Sequence, residues 1–145
     1  MIKVHEIMSD NVITLKPDDR LYKARELMSE RHIRHLPIVD DEANFVGLLS
    51  ERDLLKAAGS CIDTNSNNND LDEPVILVSQ IMTTRIKIIY PNESLIAAGL
   101  LMQKHKYGCL PVVKNNKLVG IITDSDFVGV AINLIEQMEQ YDDID

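Results

Sequence analysis

Two stretches of the chain share one order of apolar and polar positions. Each opens with an extended apolar run, "VITL" at Val12–Leu15 or "IKII" at Ile86–Ile89, that ends near a proline, Pro17 or Pro91. Apolar residues then recur at helical spacing: Leu21, Ala24, Leu27 and Met28, and Leu95, Ala98, Leu101 and Met102. Asp18 and Asn92 stand where they could cap these helices. Short β-rich runs follow, "HLPIV" and "CLPVV", then a polar turn, then "FVGLLS" or "LVGIIT" leading into a second helix. In "K-N-N-K" the asparagines tolerate the positive φ of a tight hairpin. The predicted order is β-α-β-β-α in each stretch, an α/β (α+β) architecture. Its first two strands are parallel across a crossover helix, and its last two form a hairpin.

The two stretches are copies. "V-H-E-I-M" at Val4–Met8 recurs as "V-S-Q-I-M" at Val78–Met82, 74 positions on, and Pro17, Leu21, Ala24 and Met28 recur at the same offset. "L-P-I-V" at Leu36–Val39 recurs as "L-P-V-V" at Leu110–Val113. From Gly47 and Gly120 onward the offset is 73, so one residue has been lost in the turn between. The pattern predicts repeat 1 over residues 1–60, a polar linker over 61–77 and repeat 2 over 78–145 with a C-terminal helical extension. "SCIDTNSNNNDLDE" at Ser60–Glu73 has the composition of a mobile tether. After Asp126 the positions Phe127, Ala131, Leu134, Met138 and Tyr141 step by four and three, a seam that can lie on its own domain or on a second copy.

Composition narrows the function classes. Apolar residues make up 45% of the chain but aromatic ones only 4%, so the core is aliphatic. The net charge of −8 argues against a general nucleic-acid or anionic-membrane binder. The acidity is uneven, however: residues 1–58 carry 9 basic and 11 acidic side chains, so a basic pocket can sit within an acidic total. Cys61 and Cys109 form no C-x-x-C, which suggests free thiols in a reducing cytosol. No run suits a signal peptide or a membrane span, so a cytoplasmic protein is expected. His32-x-x-His35 lacks a matching cysteine or carboxylate set for a metal, and no catalytic constellation is evident.

The candidate chemistry lies in "G-L-L-S-E-R-D" (Gly47–Asp53) and "G-I-I-T-D-S-D" (Gly120–Asp126). S-x-x-D at a helix start can be a capping box, with Ser50 or Thr123 as cap and Asp53 or Asp126 three residues on. It can also be a ligand site. A helix N-terminus and a hydroxyl favour phosphate, and a carboxylate can accept from both hydroxyls of a ribose. Hydroxyl plus aspartate therefore suits a nucleotide better than bare phosphate.

The duplicated "I-M" start, the strands "R-H-L-P-I-V-D" and "Y-G-C-L-P-V-V", and the paired G-h-h-[S/T]-x-x-D ends together resemble the CBS (cystathionine β-synthase-type) domain pair, or Bateman module. The resemblance covers about residues 4–58 and 78–132 and suggests a stand-alone CBS-pair protein. It implies tandem repeats packed about a pseudo-twofold axis, with AMP, ADP, ATP or S-adenosylmethionine held in clefts between them. It implies no catalytic activity and no required cofactor, an adenosyl ligand as regulator, a homodimer and an unidentified regulated protein as partners. In one cleft Ile86 and Tyr107 would flank the base, with Ser50 and Asp53 on ribose and phosphate. In the other Val12 and Ile33 would flank it, with Thr123 and Asp126 opposite. The basic groups Arg34, His35 and Arg52 all come from repeat 1, where repeat 2 has Gly108, Cys109 and Ser125. The Tyr107–Asp53 cleft therefore ranks first. A ligand-free interaction or dimerisation module is the alternative.

Overall fold

The computed structural model describes residues 1–62 and 75–142. Its elements are α1 (Val4–Ile7), α2 (Leu21–Arg31), β1 (His35–Val39), β2 (Phe45–Ser50), α3 (Glu51–Ile62), α4 (Val78–Ile81), α5 (Leu95–His105), β3 (Cys109–Lys114), β4 (Lys117–Thr123) and α6 (Asp124–Asp142). Helix α3 runs into the start of the stretch expected to be a linker; residues 63–74 of that stretch and the thiol of Cys61 lie outside the described residues. No described helix is long and apolar enough to cross a membrane.

The expected hairpins form. β1 pairs antiparallel with β2, His35 opposite Ser50 through Leu36 opposite Leu49 to a bulge at Ile38–Val39. β3 pairs with β4, and Asn115 and Asn116 at the turn have φ of 53° and 67°, the left-handed conformation that asparagine tolerates.

The expected first strands are much shorter than the sequence suggests. Each is a single parallel bridge, Leu15 to Ile38 and Ile89 to Val112. The Leu15 N–H donates to the Pro37 carbonyl at 3.1 Å, and the Val39 N–H donates to the Leu15 carbonyl at 2.9 Å. Ile89 makes the same pair with Pro111 and Val113, at 3.0 and 2.9 Å. Prolines end both ladders. The next bond one way needs an N–H from Pro37 or Pro111, and the next bond the other way needs one from Pro17 or Pro91. None of the four has an N–H to give.

The helix caps also differ from expectation. Residues after Pro17 and Pro91 close a turn in which the Asp19 carboxylate accepts from the Lys16 N–H at 2.7 Å and Glu93 accepts from the Tyr90 N–H at 2.9 Å. The helices begin later, at Leu21 and Leu95, with Arg20 and Ser94 as cap residues. Asp18 and Asn92 therefore lie too early in the chain to cap them. The first helical N–H groups are taken by distant main chain instead: Leu21 donates to the Ile76 carbonyl at 2.8 Å and Leu95 to the Ile2 carbonyl at 2.9 Å.

Those carbonyls belong to segments that precede the other repeat. The chain divides into two compact units that exchange their leading segments. A repeat-1 unit comprises Val12–Ile86 with Asn116–Leu118; a repeat-2 unit comprises Met1–Asn11, Lys87–Asn115 and Val119–Asp145. In the repeat-2 unit Val4 and His5 donate to the Glu93 and Pro91 carbonyls, at 2.9 and 3.0 Å. In the repeat-1 unit Val78 and Ser79 donate to the Asp19 and Pro17 carbonyls, at 2.8 and 3.0 Å. The Ile76 carbonyl and a bridge between Arg20 and Leu77 also take part in this docking.

Each unit has its own aliphatic core. In the repeat-1 unit Leu15, Leu21, Ala24, Met28, Leu36, Ile38, Leu49, Leu54, Ala57 and Val78 are buried together. In the repeat-2 unit the buried set is Val4, Ile89, Leu95, Ala98, Met102, Leu110, Val112 and Ile122. Val4 and Val78, from the exchanged segments, are wholly buried. Full burial of such an aliphatic side chain is worth about 1.5–3 kcal/mol, so each segment is anchored by packing as well as by hydrogen bonds.

Candidate functional site

The glycine that opens each repeated motif is explained by packing. Thr83 pairs with Leu48 across β2, and Ser9 pairs with Ile121 across β4, so each exchanged segment crosses its hairpin beside the glycine. A β-carbon on Gly47 would lie 2.7 Å from the Met82 Sδ and 3.2 Å from the Thr83 carbonyl oxygen. The repeated methionine therefore rests where only a hydrogen fits. Two residues further on, Leu49 and Ile122 turn into the cores, and the strands end at Ser50 and Thr123.

At that point strand becomes helix without a loop. The Glu51 N–H donates to the Arg34 carbonyl at 2.8 Å, and the Asp124 N–H donates to the Gly108 carbonyl at 3.1 Å. The residue before each first hairpin strand thus satisfies a donor at the start of the helix that follows the second strand. This places Arg34, His35, Ser50, Arg52 and Asp53 at one end of the repeat-1 hairpin, with His35 directly opposite Ser50.

The hydroxyl and the aspartate are hydrogen-bonded at both ends, but differently. In the repeat-1 unit the Ser50 N–H donates to Asp53 Oδ2 at 2.9 Å, and the Asp53 N–H donates to Ser50 Oγ at 3.1 Å, a reciprocal capping box. In the repeat-2 unit the Thr123 N–H donates to Asp126 Oδ2 at 2.8 Å, and the Thr123 hydroxyl donates to the same oxygen at 3.2 Å. Ser50 thus keeps its hydroxyl proton for another acceptor, whereas Thr123 has committed its own. All four residues are half-buried, and Oδ1 of each carboxylate takes no hydrogen bond among the described residues.

The other candidates divide between the units. Val12, Ile33 and Ile86 are half-buried in the repeat-1 unit, Ile33 against its core; Arg34 and Arg52 are exposed there and His35 is half-buried. Val12 and Ile86 take no part in the hydroxyl–aspartate bonding. Tyr107 belongs to the repeat-2 unit, is 38% exposed, and stacks on His105 with ring centroids 5.2 Å apart and planes 20° from parallel. The sequence reading missed His105. The signal was there, two aromatic rings on either side of Lys106, whose φ of 58° turns the chain back at the end of α5.

Cys109, at the start of β3, is buried and free. Burial first, and then the nearby Asp124 carboxylate, push its thiol from an ordinary 9.0 up to about 12. It stays protonated and is a packing residue rather than a nucleophile. Asp40, at the β1–β2 turn, is held below the usual carboxylate value, chiefly by the N–H of Asn44.

Comparison with known proteins places this geometry. The CBS domain family model matches residues 4–60 and 78–133, the two repeats. A crystal structure from Vibrio cholerae, of a protein named for acetoin utilization (AcuB), superposes with a TM-score of 0.83 at 42% identity, covering 96% of this chain and 98% of that one. CBSX2 in complex with AMP superposes at 0.78 with 27% identity over 92% and 98% of the two chains. The CBS domain pair of MJ0100, in complex with 5′-methylthioadenosine and S-adenosyl-L-methionine, superposes at 0.76 with 25% identity over 92% and 98%. Some curated relatives are much longer: MJ1225 of Methanocaldococcus jannaschii is 34% identical over 125 residues, which are 86% of this chain but 41% of that protein. Two matched repeats, two hairpin-based units and close superposition on CBS-pair structures agree, and the chain belongs to the CBS domain family.

Proposed function

We propose that the chain is a non-catalytic regulatory module that binds an adenosine-containing ligand, AMP, ADP or ATP, at its hydroxyl–aspartate ends and reports energy or metabolite state to a partner protein. The observation that carries this reading is the state of the Ser50–Asp53 end. Among the described residues, Asp53 Oδ1 and the Ser50 hydroxyl proton are uncommitted at a half-buried helix start, with Arg34, His35 and Arg52 on the same hairpin end. A ribose diol can donate to the carboxylate, and a phosphate can accept from the hydroxyl and from helix N–H groups. The AMP of CBSX2 and the S-adenosyl-L-methionine of MJ0100 support an adenosyl ligand and leave its identity between the nucleotides and S-adenosylmethionine. The expected affinity is micromolar, about −8 kcal/mol.

A second reading has an observation in its favour. The closed capping box explains Ser50 and Asp53 without any ligand, which suits a module whose role is protein contact alone. Calorimetry together with thermal unfolding separates the two, because a ligand that binds only the folded chain raises its melting temperature. Saturable heat and a rise in melting temperature with one of AMP, ADP, ATP or S-adenosylmethionine is the expected result. No heat and no shift with all four at millimolar concentration would leave the interaction module.

A further inference from the structure

The two hydroxyl–aspartate ends match in sequence but differ in what they offer a ligand. Each keeps a carboxylate oxygen for a ribose, Oδ1 of Asp53 or of Asp126, which takes no hydrogen bond among the described residues. The groups that would meet the 5′ substituent are not alike.

A 5′-phosphate carries nearly two negative charges near neutral pH and needs donors and positive charge around it. At the Ser50 end both are present. Among the described residues the Ser50 hydroxyl proton is uncommitted and no side chain takes the Arg52 N–H at the start of α3. Arg34 and Arg52 offset the charges of Glu51 and Asp53.

At the Thr123 end the same donors are already answered from within. The Thr123 hydroxyl donates to Asp126 Oδ2 at 3.2 Å. The Ser125 N–H, which matches that of Arg52, donates to Asp124 Oδ1 at 2.8 Å. Gly108, Cys109 and Ser125 stand where repeat 1 has Arg34, His35 and Arg52, so nothing at these positions offsets Asp124 and Asp126. The Asp124 carboxylate faces this end, close enough to act on the Cys109 thiol at the start of β3. A phosphate here would have to break two internal hydrogen bonds and would meet two carboxylates. A 5′-hydroxyl or thioether escapes that repulsion, and a sulfonium cation is attracted.

We infer that the two ends select different adenosine derivatives: the Ser50–Asp53 end takes one with a 5′-phosphate, and the Thr123–Asp126 end takes one whose 5′ group is uncharged or cationic. This division rests on the adenosyl reading above.

Calorimetry on two variants tests it, with AMP, adenosine, 5′-methylthioadenosine and S-adenosylmethionine as ligands. Asp126→Asn weakens the Thr123 end and leaves the Ser50 end to report; Asp53→Asn does the reverse. The Asp126→Asn chain should bind AMP about 10-fold or more tightly than adenosine. The Asp53→Asn chain should bind the three phosphate-free ligands about 10- to 100-fold more tightly than AMP. Adding Asp124→Ala and Ser125→Arg to the Asp53→Asn chain frees the helix N–H and supplies a cation, and should move its preference about 10-fold toward AMP. Opposite preferences in the two chains cannot come from misfolding, which would weaken all four ligands together. The same preference in both chains, an Asp53→Asn chain that binds none of the four, or an added Asp124→Ala and Ser125→Arg that moves nothing would each overturn the division while AMP binding by wild type keeps the adenosyl reading. A wild type that binds none of the four would overturn that reading and the division with it.

Discussion

Met8 lies on Gly120: a β-carbon at that glycine would fall 2.5 Å from the methionine Sδ and 3.0 Å from the Ser9 carbonyl oxygen. Met82 and Gly47 repeat the contact in the other unit. The methionine near the start of each repeat and the glycine before each hydroxyl are therefore one device. It seats an exchanged segment on a hairpin just upstream of the candidate ligand residues.

Gly120→Ala should destabilise the fold by about 1–3 kcal/mol, because the new methyl group meets a flexible thioether and also a main-chain oxygen that is fixed in the Ser9–Ile121 bridge. In a Met8→Ala background the same change should cost less, since the thioether has gone, giving a coupling of about 0.5–3 kcal/mol in a double-mutant cycle. Denaturant unfolding of the four proteins measures it. Strict additivity would show that the contact does not limit this position.

Ala43, in the β1–β2 turn, has φ of 67°, where a side chain is strained. Its carbonyl nevertheless accepts from Leu118, and its N–H donates to the Asp40 carbonyl at 3.0 Å, so the conformation is held from both sides. Ala43→Gly should relieve strain that slightly exceeds the added freedom of glycine in the unfolded chain, for a gain of about 0.5–1 kcal/mol. The expected signature is a higher urea midpoint with an unchanged slope.

The Cys109 thiol gives a pH dependence whose sign can be fixed. Its folded value, about 12, lies above the ordinary 9.0, so folded chains hold the proton where unfolded chains lose it. Its contribution is intact below about pH 9 and is lost as pH rises from there toward 12, at up to ~1.4 kcal/mol per pH unit. Cys109→Ala removes the titrating group, so its stability should fall less steeply between pH 9 and 11 than that of wild type. Native Cys109 should also resist thiol reagents near neutral pH until the chain unfolds.

What the sequence revealed and what it hid divide along sequence distance. The helices at Leu21 and Leu95, the hairpins and the positive φ of Asn115 and Asn116 follow from neighbours a few residues apart, and periodicity displays them. The caps do not. Asp18 and Asn92 look like capping residues, but the helix donors at Leu21 and Leu95 are answered by Ile76 and Ile2, 55 and 93 positions away. The first strands failed for a different reason: "VITL" and "IKII" are β-rich, but four prolines, none of them inside those runs, cut each ladder to one bridge. At the candidate site the S-x-x-D and T-x-x-D pairs were legible as local bonding. The direction of the Thr123 hydroxyl was not, because serine and threonine offer the same hydrogen-bonding groups.

Asp53 separates capping from binding. Among the described residues it accepts only the Ser50 N–H, and Asn keeps an acceptor oxygen for that bond, so Asp53→Asn should lower stability by a few tenths to ~1 kcal/mol through lost charge at the helix start. A ribose would ask more of it. Binding both hydroxyls needs the second oxygen and the charge, and charge-assisted hydrogen bonds are about twice as strong as neutral ones. Asp53→Asn should therefore weaken nucleotide binding by ~1.5–3 kcal/mol, roughly 10- to 150-fold, as read by calorimetry. Nucleotides without the 2′-hydroxyl should bind wild type more weakly and lose little further on Asp53→Asn, since the contact is already broken. Asp126→Asn should affect mainly a second binding step, and less strongly, because Asp126 Oδ2 already takes two bonds from Thr123. An Asp53→Asn chain that melts lower yet binds AMP or ATP as tightly as wild type would return Ser50 and Asp53 to the role of a capping box.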